Sequence, residues 1–295
     1  MNVPEKIWKI AQDRETARAV KNFELADRLR DQLADLGWEI FDKAGSYELQ
    51  EKLRYTVVEN LRSISPIIEP CEIAIAMIVQ GFQEDALAAV ASIRKFSDAP
   101  IILLSLGEVG SLVAAVDERT VLIRVVEGSG WGPAANALLQ HVPSQFLVII
   151  DPSTRFIGDP ITPSLTRLKE GIFSAVGWRG GLINVEDEWR SVDDVGPGEV
   201  DVLFSYFIAV DRAAAQEIGG FNPRALYYRN ADIEFSLRMR HAGGRLLQMD
   251  LPLEQERHHG YHDVDPNFRE VQSKKNYDRI LERFRGKNAI LSPRR

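Results

Sequence analysis

The chain has 295 residues, of which 45% are hydrophobic and 27% are charged, and its formal net charge at pH 7 is -7. This composition is typical of a globular protein with one large domain and a small appendage. The acidic balance disfavours nucleic acid as the main partner, because phosphate backbones bind basic faces. Cys71 is the single cysteine, so an intramolecular disulfide is excluded. The start of the sequence has no apolar leader, and no run approaches the roughly 20 apolar residues of a membrane span, which predicts a cytoplasmic protein.

A helical hairpin is predicted for residues 1–48. Apolar residues recur at helical spacing in two runs, Ile7, Ile10, Ala17 and Val20, then Leu25, Leu29, Leu33 and Leu36. Asn22 and Phe23 break the pattern between the runs. Gly37 stands where the glycine after a helix belongs.

The hairpin also has a pattern of charged, amide and small residues, formed by Arg14, Ala17, Arg18, Lys21, Asn22, Phe23, Ala26, Asp27, Arg30, Asp31, Leu36 and Gly37. In this pattern it resembles the C-terminal segment of cysteinyl-tRNA synthetases. In the synthetases the segment lies near tRNA. In this acidic chain the favoured interpretation is a packing or oligomerisation hairpin that supports a homo-oligomer, and recruitment of tRNA or of a protein is the alternative.

A linker is predicted for residues 49–70. The polar stretch from Ser46 to Arg62 is interpreted as helical, and the prolines at Pro66 and Pro70 indicate a boundary. The large domain is therefore expected over residues 71–290.

Strand-like and helix-like segments alternate in the large domain. The predicted strands are Glu72–Val79, Pro100–Ser105, Val121–Val126 and Gln145–Ile150, and the predicted helices between them are Asp85–Phe96, Ser111–Asp117 and Pro133–His141. Such alternation predicts an α/β fold with a mainly parallel central sheet that is covered on both faces. Ligands of open α/β sheets bind at the carboxyl ends of the strands.

Three strand ends carry candidate residues. Gln80 follows the first strand, and Asp151-Pro152-Ser153 follows the fourth. The glycine-rich stretch from Gly128 to Asn136 follows the third strand and opens a helix, so its backbone is expected to approach a phosphate or a sugar. A plain tight turn is the alternative for this stretch.

A second group of motifs lies further along the chain. Gly219-Gly220-Phe221-Asn222 forms a turn signature, Asp232 and Glu234 open a helix, and Arg238 and Gly243 follow. Together with the glycine-rich stretch that ends in Asn136, these motifs resemble the family 2 glycosyltransferases over roughly residues 72–285.

The resemblance implies a GT-A (Rossmann-like) fold that binds a nucleotide sugar. It also implies inverting transfer of the sugar from a nucleoside diphosphate to a hydroxyl acceptor, which is a glycan, a lipid-linked molecule or a small molecule. Inverting transfer needs a base beside the acceptor hydroxyl, and Asp232 takes that role by analogy. Glu234 and Arg238 are supporting candidates. An aspartate in a first helical turn that satisfies backbone N–H groups is the alternative for Asp232.

The same resemblance implies a donor site. Its candidate residues are Gln80, Gly128, Gly130, Gly132, Asn136, Asp151 and Ser153. The family usually presents Asp-x-Asp after the fourth strand to hold Mg²⁺ or Mn²⁺ against the diphosphate. This chain has only the first aspartate, so metal dependence stays open, with Asp151, His259 and His258 as the candidate ligands.

Two further alternatives stay open. The missing second aspartate favours a catalytically degenerate module that binds a nucleotide or a glycan without turnover. The basic stretch from Lys274 to Arg285 is expected to form an amphipathic helix that packs on the domain, and peripheral contact with a membrane is the alternative for it.

Overall fold

The computed structural model describes residues 3–43, 45–255 and 265–294. The chain divides into two compact units, Met1–Arg54 and Tyr55–Arg295. No helix among the described residues combines the length and apolar character that are needed to cross a bilayer.

The smaller unit pairs two helices with a β-hairpin. Its elements are α1 (Glu5–Ala19), α2 (Phe23–Asp35), β1 (Trp38–Lys43) and β2 (Ser46–Glu51), and the two strands are antiparallel. Both helices were expected from the sequence. The side chain of Asn22 accepts a hydrogen bond from the N–H of Leu25 (3.2 Å) and so caps α2. Gly37 follows α2 with φ +79°, as a helix-ending glycine does.

A small apolar core holds this unit together. Its buried side chains are Ile7, Ile10, Ala11, Leu33 and Trp38. Val20, which was expected on the core face, is 71% exposed because α1 ends one residue before it. The guanidinium of Arg14 donates to both carboxylate oxygens of Asp42 (2.8 and 3.0 Å), and this contact raises the pKa of Arg14 and lowers that of Asp42.

The larger unit contains the remaining strands and helices. Its strands are β3 (Thr56–Val58), β4 (Cys71–Val79), β5 (Ile101–Ser105), β6 (Thr120–Val125), β7 (Ser144–Ile150), β8 (Thr154–Phe156), β9 (Ala175–Gly177), β10 (Gly180–Ile183), β11 (Val192–Asp193), β12 (Gly198–Val200), β13 (Val202–Leu203), β14 (Phe207–Asp211), β15 (Leu246–Gln248) and β16 (Leu253–Gln255). Its helices are α3 (Gln83–Ile93), α4 (Trp131–His141), α5 (Ile161–Lys169), α6 (Arg212–Glu217), α7 (Ala231–His241) and α8 (Pro266–Phe284).

Nine strands form the central sheet, in the order β12-β15-β9-β14-β7-β4-β5-β6-β3. The run from β7 to β3 is parallel throughout. β14 is antiparallel to both of its neighbours, β7 and β9. The expected mainly parallel sheet is confirmed, and the beginning of β14 lies at the edge where β7 ends.

Both faces of the sheet are buried. In β4, Ala74, Ala76 and Ile78 contribute to the core on one face, and Ile75, Met77 and Val79 contribute to the core on the other. Successive strand residues point to opposite faces, so a strand that is covered on both sides must be apolar at nearly every position. This is why the predicted strands could be recognised as continuous apolar runs.

The interpretation of the stretch from Ser46 to Arg62 as helical is wrong. This stretch contains β2 and β3, followed by a short 3₁₀ segment at Leu61–Ser63. In β2, Tyr47 and Leu49 pack on the small core at a period of two, which is the period of a strand. The β-branched residues of β3 form the outermost parallel strand of the large sheet. The predicted helix over Ser111–Asp117 is a 3₁₀ segment at Gly110–Ala115.

Candidate active site

Two strand ends expected to carry site residues meet at the carboxyl edge of the sheet. Gln80 follows β4 and Asp151 follows β7, and the two strands are parallel neighbours. Both residues line one small cavity, of about 30 Å³, which we name the Asp151 cavity. Parallel strands end at the same edge, so this part of the predicted site is assembled by the topology alone.

The turn after β7 fixes the carboxylate of Asp151. Its Oδ1 accepts hydrogen bonds from the backbone N–H of Ser153 (2.8 Å) and from the Ser153 hydroxyl (2.5 Å). Ser153 is only 2% exposed, and its Oγ also accepts from the side-chain amide of Gln255 (3.3 Å). Ser153 therefore orients Asp151 and does not itself line the cavity.

Asp232 lies in the first turn of α7 and is 7% exposed. Its Oδ2 accepts from the backbone N–H of Ser205 (2.9 Å) and from the Ser205 hydroxyl (3.2 Å). Its Oδ1 accepts from the N–H of Ile233 (2.9 Å). Burial raises the pKa of Asp232, and the hydrogen bonds from Ser205 offset part of that effect.

A second cavity, of about 250 Å³, opens beside this carboxyl group, and we name it the Asp232 cavity. Its lining residues include the aromatic residues Phe204, Tyr206 and Tyr228. Asp232 thus accepts hydrogen bonds from backbone N–H groups, as the alternative for it expects, and it also lines this cavity.

Ser205 and Tyr228 line both cavities. The direction of β14 explains the position of Ser205. β14 is antiparallel to β7, and Ser205 and Tyr206 precede its first residue, so they lie at the edge where β7 ends. The carbonyl of Tyr206 accepts from the N–H of Asp151 (3.1 Å). Two carboxyl groups from distant parts of the chain thus face two adjoining spaces.

The glycine-rich stretch packs against protein. The N–H groups of Trp131 and Gly132, at the start of α4, donate to the carbonyls of Leu226 (3.1 Å) and Ala225 (2.8 Å). A Cβ on Gly130 would stand 2.7 Å from the Cα of Leu226, and a Cβ on Gly132 would collide with a neighbouring carbonyl. Neither glycine lines the Asp151 cavity or the Asp232 cavity. This backbone was expected to approach a phosphate, but the N–H groups of Trp131 and Gly132 are hydrogen-bonded to protein carbonyls.

Gly128 is placed differently from the other two glycines. No atom lies within 4 Å of a Cβ built on it, and it lines a separate polar cavity with Asn60 and Arg62. The structure does not bring Gly128 together with Gln80 and Asp151.

Asn136 connects α4 to the turn formed by Gly219-Gly220-Phe221. Its Nδ2 donates to the carbonyl of Phe221 (2.9 Å), and its Oδ1 accepts from the N–H of Phe221 (2.7 Å). Gly220 has φ +65°, and a Cβ on it would collide with Asn136 Oδ1. Asn136 was expected to bind the donor. Both polar atoms of its side-chain amide are instead hydrogen-bonded to the backbone of Phe221, so that it ties α4 to this turn.

Arg238 secures the same turn from α7. Its guanidinium donates to the carbonyls of Ile218 and Gly220. The ring of Phe221 stacks on that of Phe235, with ring centroids 4.1 Å apart and the planes 12° apart. The turn motif thus ties α6 to α7, and Arg238 supports the position of α7 from outside the cavities.

Glu234 lines neither cavity and is 1% exposed. It accepts from the side-chain amide of Asn222 (2.6 Å) and lies 3.4 Å from the guanidinium of Arg279 on α8. Glu234 thereby links the turn to α8, and it does not share the space that Asp232 faces.

The candidate metal ligands His258 and His259 lie outside the described residues, so their role stays a prediction. In the part of the chain that is described, no group of three His, Cys, Asp or Glu side chains is arranged to hold a metal ion. Asp151 is the one carboxylate among the described residues that line its cavity, and the Ser153 hydroxyl occupies its Oδ1. The described residues by themselves do not fit a divalent-metal site.

Sequence reasoning missed Ser205, Tyr206 and Tyr228 as site residues. A usable signal exists for the first two, since a polar pair interrupts the apolar stretch that ends in β14. Tyr228 stands four residues before Asp232 and so belongs to the segment that leads into α7. No periodicity marks either feature, because both belong to irregular backbone at strand and helix ends.

Comparisons with known proteins identify the class of fold. No protein-family profile and no curated protein matches the sequence. A crystal structure of GalNAc-T7 with UDP, GalNAc and Mn²⁺ matches with a TM-score of 0.56 and 15% identity, covering 72% of this chain and 48% of that one. The chain thus spans about half the length of GalNAc-T7 in that structure.

The mannosyltransferase PcManGT from Pyrobaculum calidifontis, in complex with GDP-Man and Mn²⁺, matches with a TM-score of 0.55 and 13% identity, covering 77% of this chain and 67% of that one. Both likenesses show the GT-A fold of glycosyltransferases for this chain. At these identities they establish the fold alone. The narrower resemblance to family 2 and that of the hairpin to cysteinyl-tRNA synthetases stay predictions.

We expect Gly220→Ala to destabilise the larger unit more than Gly243→Ala. Both glycines have positive φ, at a cost of about 1 to 2 kcal/mol for a residue with a Cβ. Only at Gly220 does the Cβ also displace Asn136, and we expect a total loss of about 3 kcal/mol or more. Urea unfolding followed by tryptophan fluorescence measures the difference. Equal losses for the two variants would contradict a stabilising role for the contact between Asn136 and the turn at Gly220.

We expect Ser205→Ala to raise the pKa of Asp232 further. The variant removes the hydroxyl that hydrogen-bonds the carboxylate and keeps the backbone N–H that does the same. A carboxyl-carbon NMR titration of aspartate-labelled protein measures the shift.

Ser236→Ala is the matched control for that titration, because Ser236 lies on α7 with Asp232 and its hydroxyl accepts instead from the N–H of Leu203 in β13 (3.0 Å). An unchanged Asp232 titration in Ser205→Ala, or an equal shift in the control, would disprove the contact.

Proposed function

We propose that the chain is an inverting glycosyltransferase that moves a sugar from a nucleoside-diphosphate sugar to a hydroxyl acceptor. The observation that carries the proposal is the pair of adjoining cavities at the carboxyl edge of a GT-A sheet, one lined by Asp151 and the other by Asp232. A donor and an acceptor need two such spaces that meet at the point of reaction.

Asp232 is the proposed base. In the reaction the acceptor oxygen forms a bond to the anomeric carbon, the bond from that carbon to the diphosphate breaks, and the hydroxyl proton passes to the Asp232 carboxylate. A buried carboxylate with a raised pKa is a stronger base than an exposed one. The two hydrogen bonds from Ser205 fix the direction in which Oδ2 points.

Gln80 and Asp151 are the proposed donor-side residues, because they line the other cavity at the strand ends where GT-A folds bind their donors. Mg²⁺ or Mn²⁺, held by Asp151 with His258 or His259, stays a prediction. The described ligands do not fit a complete metal site, so no step of the proposed mechanism depends on the ion.

A non-catalytic module that binds a nucleotide or a glycan is the second candidate. The specific observation in its favour is that Ser153 stands where the resemblance expects a carboxylate, with its hydroxyl on Asp151. This candidate and the leading one both predict nucleotide-sugar binding, and they differ in turnover.

Asp232→Asn is expected to lower the turnover number by roughly 10² to 10⁴, because the amide cannot accept the hydroxyl proton. The affinity for the donor should stay close to that of the wild type, since Asp232 lines the other cavity. Asp278→Asn, an exposed exchange on α8, is the control. Undiminished turnover of a folded Asp232→Asn variant would exclude the assigned role.

The same variant tests the burial of the carboxyl group through stability. A raised pKa means that the folded chain binds this proton more tightly than the unfolded chain does. The contribution of Asp232 to stability therefore falls as pH rises from the ordinary aspartate range through the raised pKa. The free energy of unfolding of Asp232→Asn, relative to the wild type, should rise over that interval in urea titrations from about pH 4 to pH 8. A difference independent of pH would contradict the raised pKa.

Ligand-induced stabilisation tests the donor site without requiring turnover. UDP, GDP, dTDP and their sugar conjugates are added to the protein with Mn²⁺ or with a chelator, and thermal unfolding is followed. One of them should raise stability by about 2.7 kcal/mol when its concentration is about 100 times Kd. The same stabilisation in chelator would remove the metal from the proposal, and no stabilisation by any of them would remove the donor site.

A further inference from the structure

Tyr228 borders both of the proposed substrate spaces. It lines the Asp151 cavity and the Asp232 cavity, and Ser205 is the other residue among those described that lines both. Ser205 is small and engaged by Asp232, so the ring of Tyr228 is the larger part of the shared wall. A transferred sugar has to reach from the diphosphate in one space to the acceptor hydroxyl in the other, and therefore passes this ring.

The backbone that carries Tyr228 is held on both sides by α8. Asn276 is fully buried, and its Nδ2 donates to the carbonyls of Tyr227 (2.9 Å) and Arg229 (2.8 Å). Asn230, with φ +67°, donates from its side-chain amide to the carbonyl of Ser273 (3.2 Å). The N–H of Ala231 donates to the carbonyl of Tyr228 (2.9 Å).

These contacts restrain the main chain at Tyr228, so the space beside it depends on its side chain. The ring is half-buried and packs against that of Tyr227, with centroids 4.7 Å apart.

We propose that Tyr228 is the residue that determines which donor sugar is accepted, by filling with its ring the space that substituents of the sugar would otherwise occupy. The inference rests on the proposed function, since it takes the Asp151 cavity as the donor side. In this proposal the side chain of Tyr228 contacts the sugar and discriminates between donor sugars, and other residues recognise the nucleotide.

The test compares affinities, so it does not depend on turnover. Isothermal titration calorimetry gives Kd for UDP, UDP-glucose and UDP-N-acetylglucosamine, and for GDP and GDP-mannose, with the full chain. In Tyr228→Ala the ratio of Kd between the hexose and N-acetylhexosamine conjugates of UDP should change by about tenfold or more in favour of the larger sugar. The Kd of the bare nucleotide should stay unchanged.

Two further variants separate ring size from other effects. Tyr228→Phe keeps the ring, so it should keep the wild-type ratio, and a change as large as that of the alanine variant would overturn the assignment to ring size. Tyr228→Leu reduces the side chain with less loss of packing and provides the same comparison should the alanine variant unfold. Tyr277→Ala is the matched control, because Tyr277 lies on α8 and lines neither cavity.

The outcomes distinguish this inference from the function on which it rests. A folded Tyr228→Ala variant with the wild-type ratio would overturn the inference and leave the proposed function standing. Sugar-nucleotide binding by the wild type without transfer would defeat the proposed function, and a changed ratio in the variant would still support Tyr228 as the discriminating residue. A folded wild-type chain that binds none of the conjugates would overturn both.

Discussion

The pair of hydrogen bonds between the Asn136 amide and the backbone of Phe221 is the contact on which the arrangement of the candidate site depends. It joins α4, which connects the parallel strands β6 and β7, to the turn that precedes α7. Gly220 permits the contact because a Cβ there would collide with the amide. With the turn held, Arg238 and the stacked Phe235 fix α7, and the start of α7 presents Asp232 to its cavity.

The motifs that resemble glycosyltransferases therefore act mostly through structure. Gly130 and Gly132 let the start of α4 approach the chain at Ala225 and Leu226, and their neighbourhood donates its N–H groups to carbonyls there. Glu234 joins the turn to α8 through Asn222. A motif of this kind marks a fold reliably because every residue in it has a packing reason, and for that same reason it says less about which residues contact a ligand.

The proposed chemistry depends on two carboxyl groups in different surroundings. Asp151 is held by its own turn at a partly exposed strand end, whereas Asp232 is buried and its pKa is raised. Different surroundings suit the two roles that we propose, Asp151 beside a charged diphosphate and Asp232 as a proton acceptor. Tyr228 and Ser205 stand between them, and α8 restrains the segment that carries Tyr228 through Asn276. The C-terminal helix thus belongs to the support of the site.

The sequence by itself determined the two N-terminal helices, the parallel strands and the strand ends that carry Gln80 and Asp151. These follow from local rules, since buried strands are apolar throughout and parallel strands end at one edge. Position in the sequence also placed Asp232 in the first turn of a helix. Only the tertiary structure decided that β14 runs antiparallel, which brings Ser205 beside both carboxyl groups, and that Asn136 binds backbone. Strand direction and long-range hydrogen bonds depend on pairing between distant segments, and no local pattern of residues records that pairing.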